Sequence, residues 1–260
     1  LIIISVSCSK VTQPVDPIPK HDEFKFESKV LNEIRVINVW IPDDYANSSS
    51  LYPVMYMLDG GIKEDFPHIA NTLEKLIKEK KIQPIILVGI ENTERRRDLT
   101  GPTSVEKDKE IAPVVGGSEK FRNFIQLELI PNIDQKYRTN NDRSLIGESL
   151  SGLFVMETML LTPNIFDRYI AFDPSFWWND SYLMKNSKDF LNNITTQPKV
   201  LWFAGSGATD ISKYTKQLAK NLSESKHSNI NWKYEDGPNE KHNTIFRATK
   251  EKAIIWTLNQ

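Results

Sequence analysis

The sequence predicts an α/β domain with a mostly parallel central sheet and helices on both faces. From Phe24 onward, short apolar runs rich in Val, Ile and aromatic residues alternate with longer amphipathic stretches. No internal repeat or low-complexity block interrupts that rhythm. Gly60, Gly61, Gly147, Gly152, Gly205 and Gly207 fall at the ends of the strand-like runs, where the backbone is expected to be crowded. A chain of 260 residues is long enough to bury about three-quarters of its unfolded surface, so it can carry one substantial core.

Taken in order, residues 24–30 and 34–42 read as an antiparallel strand pair leading into a buried strand at 52–59. Residues 66–81 follow as a helix, with Ile69, Leu73, Leu76 and Ile77 on one face and lysines on the other. Residues 84–91 are a second buried strand. The stretch 92–117 is long and polar, and a loop of that length is expected to overhang a site. Beyond it the pattern predicts a helix over 118–136, a strand at 143–147, a helix over 150–161 and a strand at 168–173. A helix over 179–193, a strand at 199–205, a helix over 211–224, a strand at 229–235 and a last helix over 243–258 complete it.

Composition excludes several classes of function. The 33 basic and 34 acidic residues leave a net charge of −1, so no excess of positive charge favours nucleic acid. One cysteine forms no internal disulfide, and no metal-ligand spacing occurs, so neither metal nor cofactor is expected. The apolar run before Cys8 resembles the tail of a bacterial lipoprotein signal, in which this cysteine would carry the lipid and attach the protein to a membrane. Ser5 stands where leucine is usual. On this reading residues 1–8 are the remnant of a signal segment, 9–23 a proline-containing tether and 24–260 the folded domain. The expected location is the periplasm or cell surface of a bacterium, and the cytoplasm if Cys8 is not lipidated.

The chemistry concentrates at Gly147-Glu148-Ser149-Leu150-Ser151-Gly152, between a strand and an amphipathic helix. This is the pattern of a nucleophile elbow, a turn that lifts the serine hydroxyl above the sheet and tolerates only small residues two positions either side. At the helix start, unpaired amides favour a developing oxyanion, and the Leu150 amide is the first expected donor. A serine needs a base, and of the four histidines only His242 follows a strand and precedes the last helix. That position suits the Ser, acid, His chain order of α/β-hydrolases. Two acids leave strand ends between them. Asp210 is preferred to Asp173, which is followed at once by Pro174. The second oxyanion donor is expected from the glycine pair after residues 52–59, with Gly61 preferred and Ile62 the alternative. Glu148 is read as a surface or supporting group.

The elbow, the LDGG loop and the run FDRYIAFDPSFWWND together resemble the esterase family related to esterase D, over Phe24 to the end. Members commonly show a G-H-S-x-G-G elbow and a strand ending in S-P-S-x-W-W, matched here by Gly147 to Gly152 and by Asp173 to Trp178. Glu148 replaces the frequent histidine and Ser151 a glycine. The resemblance implies an α/β-hydrolase fold and hydrolysis of a carboxylic ester of siderophore, feruloyl or acetyl type, small or glycan-linked. It places the acid and histidine on Asp210 and His242. Trp177 and Trp178 are expected as an aromatic wall for substrate, and Arg97, with Arg95 and Arg96, as a cationic lip. An acyltransferase with the same triad, a protease of the same fold and a non-catalytic binding module are the competing readings.

Overall fold

Eight strands form one sheet in the order β1-β2-β4-β3-β5-β6-β7-β8. They are β1 (Asp22–Ser28), β2 (Glu33–Trp40), β3 (Tyr52–Met57), β4 (Ile86–Ile90), β5 (Thr139–Glu148), β6 (Arg168–Phe172), β7 (Lys199–Ser206) and β8 (Ile230–Gly237). Only β2 runs against its neighbours, pairing antiparallel with β1 and β4, and every other pairing is parallel. The computed structural model describes residues 16–111, 113–194, 197–225 and 229–260. Cys8, residues 9–15 of the expected tether and His227 lie outside them.

Each face of the sheet carries its own apolar cluster. Helices α1 (Phe66–Lys78) and α10 (Ile245–Leu258) cover one face through Ile69, Leu73, Phe246 and Ile254. Helices α6 (Leu150–Leu161) and α9 (Thr209–Glu224) cover the other through Phe154, Met156, Leu218 and Leu222. The burial follows from sequence. Helix α1 alternates apolar and lysine faces, whereas α6 is apolar around most of its circumference and has eleven of its twelve residues buried. Among the described residues no helix is long and apolar enough to cross a membrane.

Three expected elements take a different form. The helix expected over 118–136 is divided into α4 (Ser118–Phe124), a π-helical stretch Ile125–Leu129 and α5 (Ile130–Lys136). Pro131 has no N–H to donate, so the ladder widens ahead of it. The helix expected over 179–193 becomes α7 (Trp178–Lys185) and α8 (Ser187–Asn192), with Asn179, Asp180 and Ser181 in left-handed backbone. Asn and Asp visit that region more readily than most residues. The stretch 92–117 contains α2 (Arg95–Leu99) and α3 (Glu106–Ile111) and is tied down along its length. Gly117 N–H donates to Arg97 O at 2.8 Å, Trp178 Nε1 to Gly101 O at 2.9 Å, and Asn179 N–H to Asp108 Oδ2 at 2.9 Å.

Residues 16–21 also lie against the domain, in place of the free tether expected there. Arg247 pairs with Asp16 at 2.6 Å, Asn71 donates to Pro17 O at 2.7 Å, and the His21 ring meets Phe66 edge-on.

Candidate active site

The carboxyl ends of the parallel strands meet at one edge of the sheet, and the reactive side chains gather there. Strand β5 ends in a turn whose central residue, Ser149, has φ 62° and ψ −119°, a conformation that costs energy for a residue with a Cβ. The turn is close-fitted. A Cβ on Gly147 would lie 2.7 Å from the Ser151 carbonyl carbon, and one on Gly152 would lie 2.8 Å from Phe172 O. The strain is held from both sides, since Ser149 N–H donates to Phe172 O at 2.9 Å and its carbonyl accepts Leu153 and Ser175 amides. Leu150 is the first residue of α6, with its amide at the helix start.

His242, in the loop between β8 and α10, reaches this serine with Nε2 3.1 Å from Ser149 Oγ. Its Nδ1 lies 2.9 Å from Asp173 Oδ2. The tautomer that gives Nδ1–H to the carboxylate leaves Nε2 free to accept the serine proton. The hydrogen bond to Asp173 raises the His242 pKa above the ordinary histidine value, and burial opposes that rise. Asp173 is fully buried at the end of β6, where Ser206 at the end of β7 donates its N–H and its hydroxyl to the carboxylate, each at 2.6 Å.

Asp210 is not the partner of His242. It is exposed in the first turn of α9 and acts on the histidine only through its charge at longer range. An acid at that position complements the helix dipole. The partner is instead the acid before Pro174. A proline disfavours right-handed helical backbone in the residue ahead of it, and Asp173 takes φ 42°, which turns its carboxylate back towards Ser206 and His242.

Gly61 does not present a free amide either. Its N–H donates to Glu64 Oε2 at 2.7 Å while Glu64 N–H donates to Gly61 O at 2.9 Å, a reciprocal cap of the turn after β3. Ile62, the next residue, lines a cavity of about 510 Å³ together with Glu148, Asn243 and Phe246. The expected cationic lip is also absent at Arg97, whose guanidinium is held by Glu33 at 2.7 Å and Asp98 at 2.7 Å. Trp178 is buried, with its indole N–H on Gly101 O, and lines a separate cavity of about 340 Å³ beside Leu153 and Arg122. Trp177 is half-buried against the core beside it, with ring centroids 6.0 Å apart.

Several groups at this edge had no distinguishing mark in the sequence. Ser206 sits in an ordinary-looking Ser-Gly turn. Asp59, with φ 53°, accepts Arg95 through both oxygens, Asn92 Nδ2 and the Ser151 hydroxyl. Asn92 also donates to Glu64 at 2.7 Å, so one knot joins the ends of β3 and β4 to the elbow. Arg95 and Ser151 holding this knot account for the serine where the resemblance led to a glycine. Glu148 is half-buried at the end of β5, and desolvation, followed by the charge of Asp65, pushes its carboxyl up to about 8.

Residues 28–257 match the model of the family described as "Putative esterase". The chain belongs to this esterase family. Ferri-bacillibactin esterase BesA of Bacillus subtilis is 36% identical over 155 residues, 54% of this chain and 54% of the relative. The apo-salmochelin esterase of Escherichia coli is 25% identical over 248 residues, 85% of this chain and 74% of the relative. The chain thus spans about half the length of the first of these relatives and about three-quarters of the second. A crystal structure of an IroE-like serine hydrolase from Shewanella oneidensis superposes with a TM-score of 0.80 at 27% identity, covering 91% of this chain and 79% of that one. The esterase-family chain has the α/β-hydrolase fold.

Proposed function

We propose that the chain is a serine ester hydrolase that works through an acyl-enzyme. The observation carrying this reading is the unbroken line from Ser149 Oγ through the His242 ring to the buried carboxylate of Asp173. His242 accepts the Ser149 proton as Oγ attacks the ester carbonyl, and Asp173 orients the ring and stabilises the imidazolium that forms. The amides of Leu150 and Ile62 receive the oxyanion, since the Gly61 amide is committed to Glu64. His242 then gives its proton to the departing alcohol. Water, activated by the same histidine, releases the acid and restores Ser149.

The substrate class is a siderophore ester, the class for which BesA and the salmochelin esterase are named. Attachment to a membrane through a lipid on Cys8 is part of the same reading, and mass spectrometry of the native amino terminus tests it. The deciding experiment for the chemistry is labelling with a fluorophosphonate probe beside hydrolysis of a short-chain nitrophenyl ester. Both are expected in the wild type and lost in Ser149→Ala. A folded wild type that neither labels nor turns over refutes the assignment.

A further inference from the structure

We propose that Glu148 is a specificity-determining residue for the alcohol half of the ester, favouring leaving groups that are cationic or uncharged over those that carry negative charge. The inference rests on the acyl-enzyme reading above and concerns the same site.

Placement comes first. Glu148 immediately precedes the nucleophile and lines the 510 Å³ cavity, which is also walled by Ile62 and Asn243. Asn243 adjoins His242, the group that protonates the departing alcohol. The cavity thus lies beside both the elbow and the His242 loop, and the leaving half is placed there. Among the described residues, no hydrogen bond or ion pair engages the Glu148 carboxyl, which is half-buried.

The surrounding charges reinforce its effect. The β3–α1 connection brings Asp59, Lys63, Glu64 and Asp65, β6 brings Asp173, and the β8–α10 loop brings His242. Arg95 faces Glu148 from α2 but is taken up by Asp59 at 2.6 Å. Arg247 lines the cavity from α10 but is paired with Asp16 at 2.6 Å. Lys63 is exposed. With both arginines matched, the wall around Glu148 holds more acid than base. Since the carboxyl titrates near 8, it is a neutral hydrogen-bonding wall at lower pH and a negative one at higher pH.

Three acetate esters test this: acetylcholine, its uncharged isostere 3,3-dimethylbutyl acetate, and 3-acetoxypropanoate. The readout is kcat/KM by acid release at pH 6.5 and pH 9.5, for wild type and Glu148→Gln. Titration of His242 acts on all three esters alike and divides out of their ratios. In the wild type, the preference for acetylcholine over 3-acetoxypropanoate is expected to grow by about tenfold between the two pH values, the scale of one added charge a few ångströms away. In Glu148→Gln the ratio should stay near the wild-type pH 6.5 value at both pH values, and so fall below the wild type only at pH 9.5. A wild-type ratio that does not change with pH overturns the proposal, as does a Glu148→Gln ratio that changes as the wild type does. Absence of fluorophosphonate labelling and of hydrolysis of the uncharged ester would instead refute the acyl-enzyme reading itself.

Discussion

Two clusters of charged side chains, one on β2 and one at the end of β5, have opposite characters. Around Arg35 the ion pairs and hydrogen bonds are dense, although Nε has no partner of its own among the described residues. Its guanidinium is 1% exposed and donates to Glu33, Thr93 and Asp98, while Arg97 closes the group by bonding Glu33 and Asp98. Around Ser149 the bonding is incomplete: the serine is in strained backbone, one side of His242 is open to solvent, and Glu148 has no hydrogen-bond partner among the described residues. The first cluster fixes α2 against the sheet. The second keeps hydrogen-bonding capacity in reserve, and reactions need that reserve. Charge density alone does not mark a site; unspent capacity next to a cavity does.

The contrast yields measurable consequences, the largest at the elbow. Ser149→Ala should lower kcat by about 10⁶ with the thermal transition unchanged, read by nitrophenyl ester hydrolysis and calorimetry. Asp173→Asn should lower kcat by about 10⁴ and shift the acid limb of the pH profile downward, because the carboxylate is what raises the His242 pKa. Asp210→Asn should change kcat by less than about threefold, and a reversal of these two results would return the orienting role to Asp210.

At the Arg35 cluster the effect should appear in stability. Asp98→Ala leaves Arg35 buried with a partner missing, at a cost of about 3–5 kcal/mol in denaturant unfolding, with activity per folded molecule nearly intact. Glu148→Gln should alter the pH dependence of the melting temperature. The native carboxyl holds its proton up to about pH 8 while the unfolded one releases it near its ordinary value, so wild-type stability falls as pH rises through that window. The variant should lose less between pH 6 and pH 9 than the wild type does. Arg97→Ala should raise KM by no more than about twofold, since its guanidinium faces Glu33 and Asp98; a tenfold rise would restore it to the substrate.

The order of strands and helices was legible because alternation and apolar periodicity reflect burial directly, as β3, β4 and α1 show. The serine and histidine were legible too, one through the steric signature of Gly147 and Ser151, the other through position at a strand end. The acid was not. Asp173 and Asp210 both leave strand ends, and what separates them is a left-handed φ and two hydrogen bonds from Ser206, neither of which is written in local sequence. Gly61 failed for a similar reason, because its amide is claimed by a side chain three residues on. Arg97 looked like a lip because one of its two partners, Glu33, is distant in sequence.

Asp16 sits on the wall of the cleft, held by Arg247, with Pro17 fastened to α1 through Asn71. Asp16 therefore forms part of the same cavity wall as Ile62 and Glu148. Replacing Asp16 with a smaller residue would widen that cavity while leaving Ser149, His242 and Asp173 untouched.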